Sequence, residues 1–274
     1  MSIPAKVKLY ELASSSSCMK ARIGLNLKAV TFEKIAVDPK DRTAVVKASG
    51  QPLTPAMVAD GQIVFDSHSI LRWLDGNVRK GPRFFASDYA RMKRIEEWEA
   101  MARQGFERSL RPMYAMAFGR MERSDSAVAA ANAALHEDTA KIEVALQQGP
   151  WLMADEISAA DVVLAPALFY ATQPQHEVVR ALPLWPAYRR FDLGPERERT
   201  RDWVARVMAW DCWLNPSASA SASAPAKPAP TKAVKSSPAK PASAAKSVSS
   251  KSSRKSSKKP AKPRGNQKRG KKKR

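Results

Sequence analysis

Cysteine is scarce. Only Cys18 and Cys212 occur in 274 residues, too few for a disulfide framework, and that scarcity fits a reducing compartment. Histidine is almost as rare: His68, His136 and His176 lie far apart without the spacing of metal ligands, so no metal site is expected. Nowhere do about 18 apolar residues stand together, and the opening MSIPAKVKLYEL lacks a basic segment followed by an apolar run. Neither a membrane-spanning helix nor a secretory signal is expected.

Acid is missing from one part of the chain. Beyond Asn215 stand 18 of the 47 Lys and Arg and none of the 26 Asp and Glu, which leaves the first 215 residues nearly neutral at 29 basic against 26 acidic groups. The same stretch, residues 216–274, lacks every aromatic, Leu and Ile. It cannot bury enough apolar surface to offset the entropy of ordering its backbone, so a disordered tail is expected there. Its Lys spacing, from SPAKPASAAKS to KRGKKKR, suits phosphate neutralisation without base reading, which points to nonspecific nucleic acid as a partner. Without interleaved aromatics, base stacking is not expected. A solubilising tail, an address signal, an anionic membrane or a polyphosphate fit the same composition.

What remains is rich in periodic pattern. Lys6 to Leu12 alternates as a strand, Cys18 to Lys28 spaces apolar residues at helical intervals, and Thr31 to Val37 is a second strand. A βαβ unit with so short a connection places its two strands parallel. Pro55 to Phe65 holds two short apolar runs around Asp60-Gly61, a hairpin signal, and a helix that Ser67 can cap follows to Leu74. From Asp88 the strand signals fade. Tyr89 to Phe118, Ser126 to Leu146, Ser158 to Tyr170 and Arg197 to Trp210 carry helical spacing, so the second unit is expected to be all-α. Ser158-Ala-Ala-Asp161 has the form of a capping box, with Ile157 and Val162 placed for a hydrophobic staple.

Three segments resemble the cytosolic glutathione transferases, particularly serine-type, bacterial-like members: KLYELASSSSCMKARIGLNLKAVTFEKIAV, LTPAMVADGQIVFDSHSILRWL and WLMADEISAADVVLAPAL. The tail resembles those of H1-type histones in composition. The resemblance implies an α/β thioredoxin-like glutathione-binding domain over 1–78 and an all-α domain over 88–215, with the basic tail over 216–274. It implies glutathione as cosubstrate, a small electrophilic second substrate, a homodimer and a cytoplasmic protein; the basic tail adds a nucleoid-associated location, or a nuclear one if the source is eukaryotic.

Residue by residue, the resemblance implies Ser15, eight residues before Ile23 as in serine-type members of the family, as the hydroxyl donor to the glutathione thiol at the positive end of a helix. Ser14 to Ser17 are all serines, so a neighbour would match as well, Cys18 is within reach for mixed-disulfide chemistry, and a plain helix cap uses the same residues. Pro55 matches the family's cis-proline, with Thr54 offering its backbone to the cysteinyl part of glutathione. Asp66 and Ser67 match the pair that holds the γ-glutamyl group, where a helix N-terminus suits a carboxylate and an ordinary cap looks the same. Thr54 and Leu53 stand where the family usually has a β-branched apolar residue preceded by Lys or Gln. Arg103, Arg108, Arg111 and Tyr114 fall on the first long helix of the α unit, either to grip an acidic substrate or as a solvated face. Trp203, Trp210 and Trp213 are expected in the core or an interface. Two functions are therefore open: a glutathione-dependent transferase or isomerase, and a non-catalytic adapter of the same fold associated with nucleic acid through its tail.

Overall fold

The computed structural model describes residues 4–218; the tail expected beyond them lies outside the described residues. Strands β1 (Val7–Glu11), β2 (Glu33–Ala36), β3 (Ala56–Ala59) and β4 (Gln62–Phe65) form one mixed sheet in the order β2-β1-β3-β4. β2 runs parallel to β1 with Leu9 opposite Lys34, while β3 is antiparallel to both β1 and β4. The parallel pair arises because helix α1 (Ser16–Leu27) carries the chain back over the sheet. The antiparallel pair arises because Asp60 and Gly61 both take positive φ, 47° and 87°, as a two-residue hairpin turn requires.

Val7 and Leu9 of β1 and Met57 and Ala59 of β3 bury one face of the sheet under α1 and α3 (Ser67–Asn77). On the other face Val37, Val45 and Ala56 form a small separate cluster under α2 (Thr43–Ser49), a helix too short to show in the sequence pattern. α1 and α3 touch closely because residue 24 has no side chain: a Cβ there would stand 2.4 Å from Leu71 Cδ2. This is the thioredoxin-like arrangement expected for the N-terminal unit.

The remainder is helical: α4 (Tyr89–Gln104), α5 (Leu110–Ala117), α6 (Asp125–Ala145), α7 (Ala159–Leu168), the short α8 (Glu177–Arg180) and α9 (Trp185–Tyr188), and α10 (Glu198–Met208). All ten residues of α7 are buried, because it lies between α1, α4 and α10. Asp161 locks its start: the carboxylate accepts from the Ser158 N–H at 2.8 Å and hydroxyl at 3.0 Å, and from the Leu152 N–H and Trp203 indole at 2.9 Å each. Trp203 is fully buried, and Trp210 and Trp213 pack against the core.

Two expectations require correction. Tyr89 to Phe118 is not one helix; it breaks between Gln104 and Leu110, and Arg108 lies in the break. Pro112 is the cause, since inside a continuous helix its ring would clash with the carbonyl four residues back, whereas in the first turn of α5 its missing N–H costs nothing. Ser67 is not the cap of α3 but its first residue, and it is buried. Asp66 caps instead, accepting from the His68 N–H at 2.9 Å and the Ser69 N–H at 3.3 Å, and a carboxylate serves two donors where a hydroxyl serves one.

Candidate functional site

β1 ends at Glu11, and the serine run turns the chain into α1. Ser15 is the residue before the first helical turn, in extended conformation, and its side chain makes no capping bond. The hydroxyl is therefore not spent on the helix. It lies against the sulfur of Cys18, as does the Thr54 hydroxyl, and the Leu12 N–H reaches the same sulfur at 3.3 Å. Cys18 is fully buried, and burial pushes its thiol up despite these three donors and the Arg22 charge. A protonated, inaccessible thiol is a poor nucleophile.

The Thr54–Pro55 peptide is cis, and the Pro55 carbonyl accepts from the Asp66 N–H at 3.2 Å. Asp66 holds φ at 68°, an uncommon value for a residue with a side chain, and directly precedes the N-terminus of α3. Ser15, Thr54, Pro55, Asp66 and Ser67, distant in sequence, are thus brought to one end of the sheet, where β1 and β4 finish and β3 begins. Helices α1 and α3 both begin at this end; Asp66 occupies the first turn of α3, whereas no side chain caps α1, whose first N–H groups favour an anion.

The serine turn is held from two sides. The Tyr170 hydroxyl donates to the Ser14 carbonyl at 2.5 Å, and Tyr170 stacks on Tyr188 with ring centres 4.3 Å apart. From within, Arg22 Nη2 donates to the Ala13 carbonyl and to Asp211 Oδ2, at 2.8 Å each, while Nε donates to Asp211 Oδ1 at 2.5 Å and Nη1 to Glu11. The two units are tied across the site by Glu99 of α4, which accepts from Arg72 at 2.9 and 2.7 Å and faces His68 Nδ1 at 3.1 Å. Burial opposes the charge of Glu99, but His68 and Arg72 outweigh it and hold the carboxyl at about 2.

Beside this end of the sheet opens a cleft of about 690 Å³, bounded by Ser16 and Lys20 of α1, by α4 and α5, and by Ala167 of α7. Arg103, Arg111 and Tyr114 line it as the sequence pattern allowed, whereas Arg108 does not and instead pairs with Glu137 at 3.1 Å. Tyr114 brings its hydroxyl to Ser16 from the helical unit. A second hollow, of about 380 Å³ between α10 and residues 172–176, lies away from the serine turn.

Sequence reasoning missed Lys20, Glu99, Tyr170 and the Arg22–Asp211 pair. A signal existed for three of them: Lys20 and Arg22 are cations inside a helix whose neighbours are apolar, and Asp211 sits between Trp210 and Cys212. Charges in such settings are paired or functional.

The glutathione S-transferase N-terminal domain model matches residues 9–82, and the corresponding C-terminal domain model matches residues 125–206. No curated protein matches the chain significantly. Among solved structures, a tau-class glutathione S-transferase from mango is similar with TM-score 0.59 at 16% identity, over 78% of this chain and 92% of that one. Poplar glutathione transferase F1 gives 0.57 at 20% identity, over 76% and 95%. A Methylobacillus flagellatus KT glutathione S-transferase with glutathione bound gives 0.54 at 18% identity, over 73% and 94%. These likenesses establish the fold, and the two domain models together span more than half of the sequence. The chain belongs to the glutathione S-transferase family.

Proposed function

We propose that the protein binds glutathione at the end of the sheet between Thr54 and Ser67 and activates its thiol for conjugation or isomerisation of a small electrophile. One observation carries this reading: a hydroxyl not used as a cap, Ser15, stands at the N-terminus of α1 beside Thr54 of the cis peptide. A free thiol is only a few per cent thiolate at neutral pH, and a donor at the positive end of a helix raises that fraction. In this reading Thr54 offers its backbone to the cysteinyl unit, and Asp66 and Ser67 hold the γ-glutamyl group at the start of α3. Residues 1–78 form the glutathione-binding unit and 88–215 the wall for the second substrate. The burial of Cys18 favours hydroxyl-assisted chemistry over mixed disulfides. The glutathione-bound M. flagellatus relative supports the cosubstrate.

The same reading includes a homodimer, supported by exposed Leu53, Ile63 and Phe65 around the edge strand β4. It also includes a cytoplasmic location and a serine-type, bacterial-like subclass. Calorimetry with glutathione, followed by a thiol-conjugation assay, tests it: saturable binding with turnover supports the transferase, and absence of glutathione binding ends it. A second reading rests on the 18 basic and no acidic residues beyond Asn215. There the chain acts as an adapter that meets nucleic acid through an H1-like tail, at the nucleoid or in the nucleus, with or without turnover. Binding without turnover, together with salt-sensitive DNA retention, favours it.

A further inference from the structure

A cation buried without a partner is unusual, because taking an ammonium out of water costs several kcal/mol unless something compensates it. Lys20 approaches this state, its stem buried and its ammonium at the wall of the open cleft. It is 7% exposed, lines the 690 Å³ cleft, and makes no hydrogen bond or ion pair among the described residues. The neighbouring α1 cation, Arg22, takes two carboxylates and a carbonyl. The acids nearest Lys20 are already committed: Asp66 accepts from His68, Ser69 and the Ser69 hydroxyl, and Glu99 from Arg72 and His68.

The rest of the cleft has the same sign. Arg103, Arg111 and Arg120 line it against one acid, Glu107, which Arg111 holds at 3.7 Å. The opposite character comes from Phe106, Leu110, Tyr114 and Phe118, which give an apolar, largely aromatic wall. We propose that the cleft is a subsite for an aromatic or unsaturated carboxylate, whose anionic end is anchored by Lys20 while its planar body lies on the aromatic wall. Resting on the transferase reading, this makes the second substrate an acidic electrophile. The anion site itself stands on the cleft alone.

The charge of Lys20 is conditional. Burial lowers its pKa, Asp66 and Glu99 raise it, Arg103 lowers it, and the balance is about 8. The facing groups are Asp66 at the cap of α3, Glu99 and Arg103 on α4, and Glu107, Arg111, Arg120 and the Tyr114 hydroxyl around α5; α7 contributes only Ala167 to the lining. Below about pH 8 the ammonium is present and attracts a carboxylate; above it the amine is neutral and the attraction is lost.

The test uses the full chain and two inert probes of equal shape, 3-nitrobenzoate and 3-nitrobenzamide, with dissociation constants measured by calorimetry at pH 7 and pH 9. At pH 7 the benzoate should bind roughly tenfold or more tightly than the amide, the size of a hydrogen bond to a charged group. In Lys20→Met the two probes should bind alike, with glutathione affinity unchanged and the unfolding midpoint not lowered. Wild type should lose its preference at pH 9 and Lys20→Arg should keep it, a comparison that stands even if Lys20→Met folds poorly. Equal binding of both probes to the wild type would overturn the proposal. So would a preference that survives in Lys20→Met, which credits the arginines or the tail, or a loss of glutathione affinity in its place, which moves Lys20 into the glutathione site. Benzoate preference without glutathione binding would sink the transferase reading and leave the anion site standing.

Discussion

Asp211 and Arg22 lie 189 residues apart and meet as a buried pair, with Asp211 Oδ1 2.5 Å from Arg22 Nε and Oδ2 2.8 Å from Nη2. The pair links the segment after α10 to the helix that starts at the serine run, and Arg22 in turn holds the Ala13 carbonyl. Replacing such a pair with apolar groups is often neutral, but removing one partner strands a buried charge. Asp211→Ala should therefore cost about 3–5 kcal/mol in denaturant unfolding. A loss below about 1 kcal/mol, the range of an exposed pair, would show that Arg22 finds other partners.

Glu99 predicts how the protein meets acid. Its folded pKa, about 2, lies below the ordinary 4.5, so the native state binds this proton less readily than the unfolded chain. The stabilisation is fully present above about pH 4.5 and is lost as pH falls toward 2. Glu99→Gln should unfold more readily than wild type at pH 7, and the gap should close on acidification through that window. A constant gap would place the acid sensitivity elsewhere.

Ser158→Ala should cost about 1 kcal/mol, since the start of α7 loses the hydroxyl of its capping pair with Asp161. Activity per folded molecule should hold. An unchanged melting temperature would mean that Asp161, with its three remaining donors, fixes the helix start alone.

For the tail, the expectation follows from charge. Truncation after Ala218 should abolish nonspecific DNA or RNA binding, and with the full chain that binding should weaken steeply between roughly 50 and 200 mM salt. Gel shifts at two salt concentrations measure it. Salt-insensitive retention by the truncated protein would locate the nucleic-acid contact on the folded body.

Pattern and chemistry were legible to different degrees. The parallel β1–β2 pair, the Asp60-Gly61 hairpin and the starts of α6 and α7 follow from local periodicity and capping chemistry, which sequence displays directly. α2 escaped because seven residues with two buried side chains make no stripe. The break before α5 was signalled by Pro112, yet the apolar spacing on either side concealed it. At the site, the family resemblance pointed to Ser15, Pro55 and Asp66, whereas Glu99 and Tyr170 draw their meaning from partners on other elements and Lys20 from the cleft wall assembled around it. Long-range pairing leaves no local pattern, so only the folded chain reveals that Glu99 ties α4 to α3.

The transferase reading separates binding from activation. Ser67→Ala should weaken glutathione affinity, while Ser15→Ala should lower turnover with affinity largely kept; an unchanged dissociation constant in the first would remove Ser67 from the γ-glutamyl site. The most direct measurement is a titration of bound glutathione, followed by the ultraviolet absorbance of its thiolate, in wild type and in Ser15→Ala. The wild type should ionise the thiol well below the free value of about 8.5, and Ser15→Ala should return it most of the way. The same low thiol pKa in Ser15→Ala, or a bound thiol that ionises no more readily than the free one, would contradict the assignment.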